Sequence, residues 1–209
     1  MTANTFWYLS RAAGLSAYVM LCVNVALGLA LSRPLLERFA VKWRVFDPHQ
    51  FTGLLLVALL GLHVLALLGD RYIGFTLPQL LVPFLSSYRP VEIALGVLAF
   101  YLTLVVTFTF YIRQRIGQRV WRLIHYGSFG VFALSLLHGI LSGTDTGTVW
   151  ALVIYAGSAL AIGWLTWWRF TTAGGGKRAT EVTGILRHPR TMGAGMAGVP
   201  RPGAWPEAE

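Results

Sequence analysis

Charge is scarce in this chain. Only 12% of its 209 residues are Asp, Glu, Lys or Arg, about half the roughly 25% usual in a soluble domain. Eight residues are acidic, 17 are basic and one is cysteine, Cys22. A single cysteine excludes an intrachain disulfide and any Cys-x-x-Cys-His site for covalent haem. Lying within an apolar run, Cys22 reads as a small packing residue rather than a reactive thiol. The first 32 residues lack the basic n-region of a signal peptide, and their apolar run is too long for an h-region. They are expected to stay as a first span.

Apolar residues are what the chain has in excess: 56% are hydrophobic and the mean hydropathy is +0.62. Several runs reach the roughly 20 residues that cross a bilayer as helix. The expected fold is an all-α membrane protein with five transmembrane helices. The net charge of +9 is no sign of nucleic-acid binding, because the basic residues stand at helix ends, where membrane topology accounts for them.

The expected spans cover about residues 6–31, 49–68, 91–112, 120–141 and 148–170. Trp7 and Tyr8 suit an aromatic belt, and Ala12, Ala13, Gly14, Ser16 and Ala17 leave a flank for close approach. Arg11 has two readings, snorkelling to the headgroups or pairing with a haem propionate. Asp47 is the expected N-cap and Pro48 the first turn of the second span, starting it near His49. Residues 69–90, with LPQLLVPFLSS, read as an interfacial or re-entrant piece rather than a span. The third span has no histidine and reads as packing. The basic turn RQRIGQRVWR leads into the fourth, and Trp164, Trp167 and Trp168 end the fifth. Residues 171–209 hold eight Gly and four Pro, which predicts a disordered basic tail. His188 there reads as a solvated residue. The tail's charge would suit anionic headgroups or an acidic partner.

Fourteen of the 17 Lys and Arg residues fall in the first loop, the third loop and the C-terminal end. By the positive-inside rule this predicts a plasma-membrane protein with its N-terminus outside and its C-terminus cytoplasmic.

Four of the five histidines form two pairs on two spans: His49 and His63, 14 residues apart, and His125 and His138, 13 apart. With 1.5 Å of rise per residue, each pair spans about 20 Å of depth. The topology sets His49 level with His125 toward the cytoplasm, and His63 level with His138 toward the outside. Each level offers two axial imidazoles for a b-type haem iron. Single membrane histidines also serve as hydrogen-bond partners or proton relays. Zinc ligands on a helix recur at closer spacing than any here. At 100° per residue, 14 residues return near the same face and 13 do not. The fourth span must therefore bend, with Gly127–Gly130 the expected place, or its histidines must meet their ligands from different azimuths. Arg44, Arg119 and Arg122 are candidates for the inner haem's carboxylates, since arginine matches a carboxylate bidentately. Arg71, Arg89, Ser142 and Thr144 are the outer candidates.

The stretches HQFTG (49–53) through His63 and WRLIH (121–125) through His138 resemble the ferric reductase-like transmembrane domain family. That family includes ferric-chelate reductases, NADPH oxidases and the haem subunit of a bacterial methionine sulfoxide reductase system. VPFLSSYRP (82–90) is similar to its bacterial stand-alone members, and the resemblance covers about residues 5–170. It implies electron transfer across the membrane through two stacked b haems, from a cytoplasmic reduced flavin to an outside acceptor such as a ferric chelate. His49 and His125 would hold the inner iron, His63 and His138 the outer. The sulfoxide reductase branch lacks a histidine at the position of His49, so His49 favours the two-haem branch. No Gly-x-Gly-x-x-Gly motif follows a strand here, so a separate flavoprotein or a quinol is the expected donor. Rival readings are a haem relay or assembly subunit of a larger membrane complex, and a haem-free scaffold or transporter, although no internal repeat supports the latter.

Overall fold

The computed structural model describes residues 3–31 and 42–187, with side chains described for 5–31 and 47–171. All regular structure among them is helical: α1 (Ala3–Leu31), α2 (Lys42–Gly69), α3 (Leu77–Leu81), α4 (Pro90–Thr109), α5 (Arg113–Ile116), α6 (Gln118–His125), α7 (Gly127–Ser142) and α8 (Val149–Arg187). Five stretches are long and apolar enough to cross a membrane: Thr5–Leu31, Asp47–Gly69, Pro90–Thr109, Gln118–Ser142 and Val149–Thr171. The shortest has 20 residues, which is about 30 Å of helix, the thickness of a hydrocarbon core.

The chain divides into Met1–Arg169 and Phe170–Glu209. In the first unit, α1 packs chiefly on α2, and α4 chiefly on α7. Leu21, Val25 and Leu56 of the first pair belong to one buried core with Val106, Val131 and Phe132 of the second. The last span reaches this core through Ile162 and through a 2.6 Å hydrogen bond between the Tyr18 and Ser158 hydroxyls. The opposite helix faces stay greasy: Leu65, Leu123 and Leu160 are each at least 65% exposed. Large exposed aliphatic side chains on every span are consistent with contact to bilayer lipid.

Several expected boundaries move. The second helix begins at Lys42, so Asp47 does not cap it and Pro48 lies inside. Proline removes one bond to the carbonyl four residues back. In the second turn of a 28-residue helix that single loss is tolerated. Between Gly69 and Pro90 the only described helix is the five-residue α3, tied to α4 by the Tyr101 hydroxyl donating to the Leu81 carbonyl at 2.8 Å. The third span stops at Thr109 rather than 112. The basic turn is two short helices parted by Gly117, whose φ of 84° suits glycine.

The fourth span is broken where its histidine spacing requires a change of azimuth. α6 ends at His125 and α7 starts at Gly127. Tyr126 between them accepts a tightened bond three residues on, from Phe129 N–H at 3.1 Å. The break is one residue before the expected window. The tail expected to be disordered from 171 is helical through Arg187; extending an existing helix avoids the nucleation cost. His188 lies outside the described residues.

Candidate functional site

Three of the four spanning histidines are seated in the same way. Each packs against a glycine on the neighbouring helix. A Cβ added at Gly14 would lie 2.9 Å from His63 Nδ1, at Gly28 3.2 Å from His49 Cε1, and at Gly96 2.7 Å from His138 Cε1. Each also donates Nδ1–H to the carbonyl four residues before that glycine: His63 to Ser10 at 2.7 Å, His49 to Asn24 at 3.1 Å and His138 to Glu92 at 2.7 Å. The recurrence has a physical cause. A helical carbonyl has two lone pairs and spends one on the N–H four residues ahead. When that residue is glycine, no Cβ shields the second lone pair, and an imidazole can reach it. Because a carbonyl only accepts, the proton is fixed on Nδ1 and the Nε2 lone pair is left for another partner. Metal-binding histidines are oriented by such second hydrogen bonds.

Asn24 secures the inner seat further. Its Nδ2 donates to the His49 carbonyl at 2.6 Å and to Thr52 Oγ1 at 2.9 Å. Thr52 in turn donates to the Pro48 carbonyl at 2.8 Å.

His125 is different. Gly127 and Gly130 face Leu102, not a histidine. The His125 ring stacks on Trp121, with centroids 5.2 Å apart and planes at 29°. Both His125 Nδ1 and Trp121 Nε1 are buried without a hydrogen-bond partner. Across the inner level, the His49 and His125 ring centroids are 6.1 Å apart with planes at 77°.

At the outer level, His63 and His138 line one cavity of about 430 Å³, within the range of small-molecule and cofactor sites. Its wall is mostly aliphatic and aromatic, with Arg11, Ser142 and Asp145 among the polar lining. The inner crevice, lined by Asn24, His49, Phe110 and His125, holds about 70 Å³. Fourteen residues of α2 separate the two levels, about 21 Å along the helix.

The structure thus brings each expected histidine pair together, but not the arginines. Arg119 and Arg122 are exposed and absent from the inner crevice; Arg122 Nε donates to the Gln118 carbonyl at 3.3 Å. The Arg44 side chain lies outside the described residues. Arg71 is exposed, and Arg89 donates to the Leu141 carbonyl at 2.8 Å; neither lines the outer cavity. Ser142 does line it, with Oγ 3.3 Å from His138 Nδ1. Arg11 lines the cavity as well, pairs with Asp145, hydrogen-bonds Thr144 and lies 4.7 Å above the Trp7 ring. It ties the start of the first span to the loop after α7.

Sequence reasoning missed the glycine seats and Asn24. The signal was present: Gly14 and Gly28 repeat the 14-residue spacing of His49 and His63, as an antiparallel pair of helices requires. Among the described residues no three or more His, Cys, Asp or Glu side chains gather as a metal-binding cluster. The chain is therefore a five-span helical bundle with histidines paired at two depths. Set against known proteins, it matches no family model, no curated protein and no solved structure.

Proposed function

We propose that the protein conducts electrons across a membrane through two b-type haems. His49 and His125 would hold the inner haem, His63 and His138 the outer. The observation that carries this reading is the common seating of His49, His63 and His138: Nδ1 tied to a carbonyl, Nε2 left with its lone pair, and a second histidine at the same depth. Haem, when bound, supplies a one-electron ferric–ferrous couple whose potential depends on ligands and burial. The chain's own part is to hold each imidazole in one tautomer and orientation, and to surround the outer pair with an apolar wall. The clustering of Lys and Arg in the first and third loops and the C-terminal end supports an N-terminus outside and a cytoplasmic C-terminus. The electron donor on that reading is a cytoplasmic flavoprotein or a quinol, and the acceptor an extracytoplasmic species such as a ferric chelate. The motif resemblance to the ferric reductase-like family supports the same direction of flow.

The unequal cavities favour a second reading, a single haem at the outer level. The cavity that His63 and His138 line holds about 430 Å³, against about 70 Å³ beside His49 and His125. His125→Ala separates the two. On the first reading the purified variant loses one of two haems, and on the second its haem content equals that of the wild type. A wild-type protein without a Soret band overturns both.

A further inference from the structure

Two arginines at the start of the fourth span have no acid to pair with. No Asp or Glu occurs between Glu92 and Asp145, and neither Arg119 nor Arg122 forms an ion pair among the described residues. Arg113 of the same loop is committed elsewhere. It donates to the Phe110 carbonyl at 2.8 Å and lies 3.8 Å above the Phe110 ring. Arg119 and Arg122 are exposed. Arg122 spends only Nε, on the Gln118 carbonyl, and keeps its two terminal nitrogens.

At 100° per residue, Arg119, Arg122, Leu123 and Tyr126 fall within about 100° of one another round the helix. Tyr126 continues the winding of α6, with φ −62° and ψ −19°. Leu123 is 73% exposed and Tyr126 54%. Trp121, Ile124 and His125 take the opposite sector and are partly buried. The outward sector thus carries charge at its loop end and apolar surface one turn further in. The span Gln118–Ser142 has 25 residues, about 37 Å of helix against about 30 Å for a hydrocarbon core. Residues 127–142 hold no Asp, Glu, Lys or Arg, so the excess length stands at the Gln118 end, at headgroup depth.

We propose that Arg119 and Arg122 bind the phosphate of an anionic phospholipid in the leaflet on the third-loop side, with an acyl chain along Leu123. Guanidinium groups match phosphate oxygens bidentately, and two of them without an acid favour a net-negative headgroup over a zwitterionic one. Leu123 decides the occupant. A lipid presents phosphate and hydrocarbon together at these two depths, whereas an acidic protein arriving from water offers the charge alone. The site stands apart from the haem reading.

The test is native mass spectrometry of the full chain in detergent, titrated with phosphatidylglycerol or phosphatidylcholine of the same acyl chains. Attraction of an anionic headgroup is about fivefold per basic residue, so Arg119→Gln is expected to weaken the first phosphatidylglycerol about fivefold and Arg119→Gln with Arg122→Gln about 25-fold. Phosphatidylcholine binding should not change. Arg71→Gln, which removes an exposed charge at the other end of the bundle, should bind both lipids as wild type does. A wild type without preference for phosphatidylglycerol overturns the site, whether or not the double variant folds. Equal preference in wild type and the double variant also overturns it. Equal weakening by Arg71→Gln and Arg119→Gln shows attraction to net charge and no site. Inorganic phosphate in excess is expected to leave the lipid bound; displacement assigns the arginines to a soluble anion instead. Poly-glutamate binding that the double variant loses, with its lipid preference intact, assigns the surface to an acidic protein and overturns the lipid site.

Discussion

Replacing Gly96 by alanine should do more damage than the same change at either of the other glycines that seat a histidine, Gly14 and Gly28. The new Cβ would lie 2.7 Å from His138 Cε1, 2.9 Å from Nδ1 and 3.1 Å from Nε2. Ordinary carbon contacts lie at about 3.5–4.0 Å, so the ring or the helix must retreat by roughly 1 Å. The 2.7 Å bond from His138 Nδ1 to the Glu92 carbonyl would then stretch past the usual limit of about 3.2 Å. Overpacking costs about 1–3 kcal/mol and the lost hydrogen bond about 0.5–1.5 kcal/mol. Nε2 would also be displaced within the cavity that His138 and His63 both line. The assay is haem per chain by pyridine haemochrome, with thermal unfolding in detergent. Gly61→Ala and Gly157→Ala are the controls, since a Cβ at either meets nothing within 4 Å. The expected order of haem loss is Gly96→Ala, then Gly14→Ala, then Gly28→Ala, following distances of 2.7, 2.9 and 3.2 Å. If Gly96→Ala binds as much haem and unfolds at the same temperature as Gly61→Ala, the glycine-seat reasoning is wrong.

Three further outcomes are expected. Asn24→Leu removes two interhelical hydrogen bonds, of 2.6 and 2.9 Å, each worth about 0.6 kcal/mol on average within membranes. Redox titration should show the inner haem's potential shifted and the outer one's unchanged. Arg11→Gln and Asp145→Asn break a pair that is 25% and 38% exposed, so a double-mutant cycle on thermal stability should give a coupling of no more than about 1 kcal/mol. Deleting residues 171–209 should leave haem content as in wild type; loss of haem on deletion would assign the tail a structural role.

The spans could be read from the sequence because apolar length is a coarse property summed over some 20 residues. The pairing of the histidines by depth was legible for a related reason: loop charge gives direction and helical rise gives distance. The bend in the fourth span was legible too, since a 13-residue spacing cannot return to one face of a straight helix. Its exact place, Tyr126, was not, because glycines attract the expectation while local bonding selects the residue. Pro48 misled in the same way. A proline signals a helix start statistically, yet Lys42–Phe46 contain no breaker, and one missing bond does not stop a long helix. Arg11 was misplaced because its partners, Thr144 and Asp145, lie more than 130 residues away, where no local rule applies. The carboxylate candidates Arg119 and Arg122 came from proximity in sequence to His125. Arg119 lies about 120° round the helix from His125, and the Arg122 guanidinium is drawn back to the Gln118 carbonyl.

Haem stoichiometry with a redox titration of the purified, membrane-extracted protein tests the central claim most directly. The account predicts two haems per chain, both low-spin with bis-imidazole spectra, titrating as two one-electron steps. A preparation with no Soret band, or with one haem that survives His125→Ala unchanged, would contradict it.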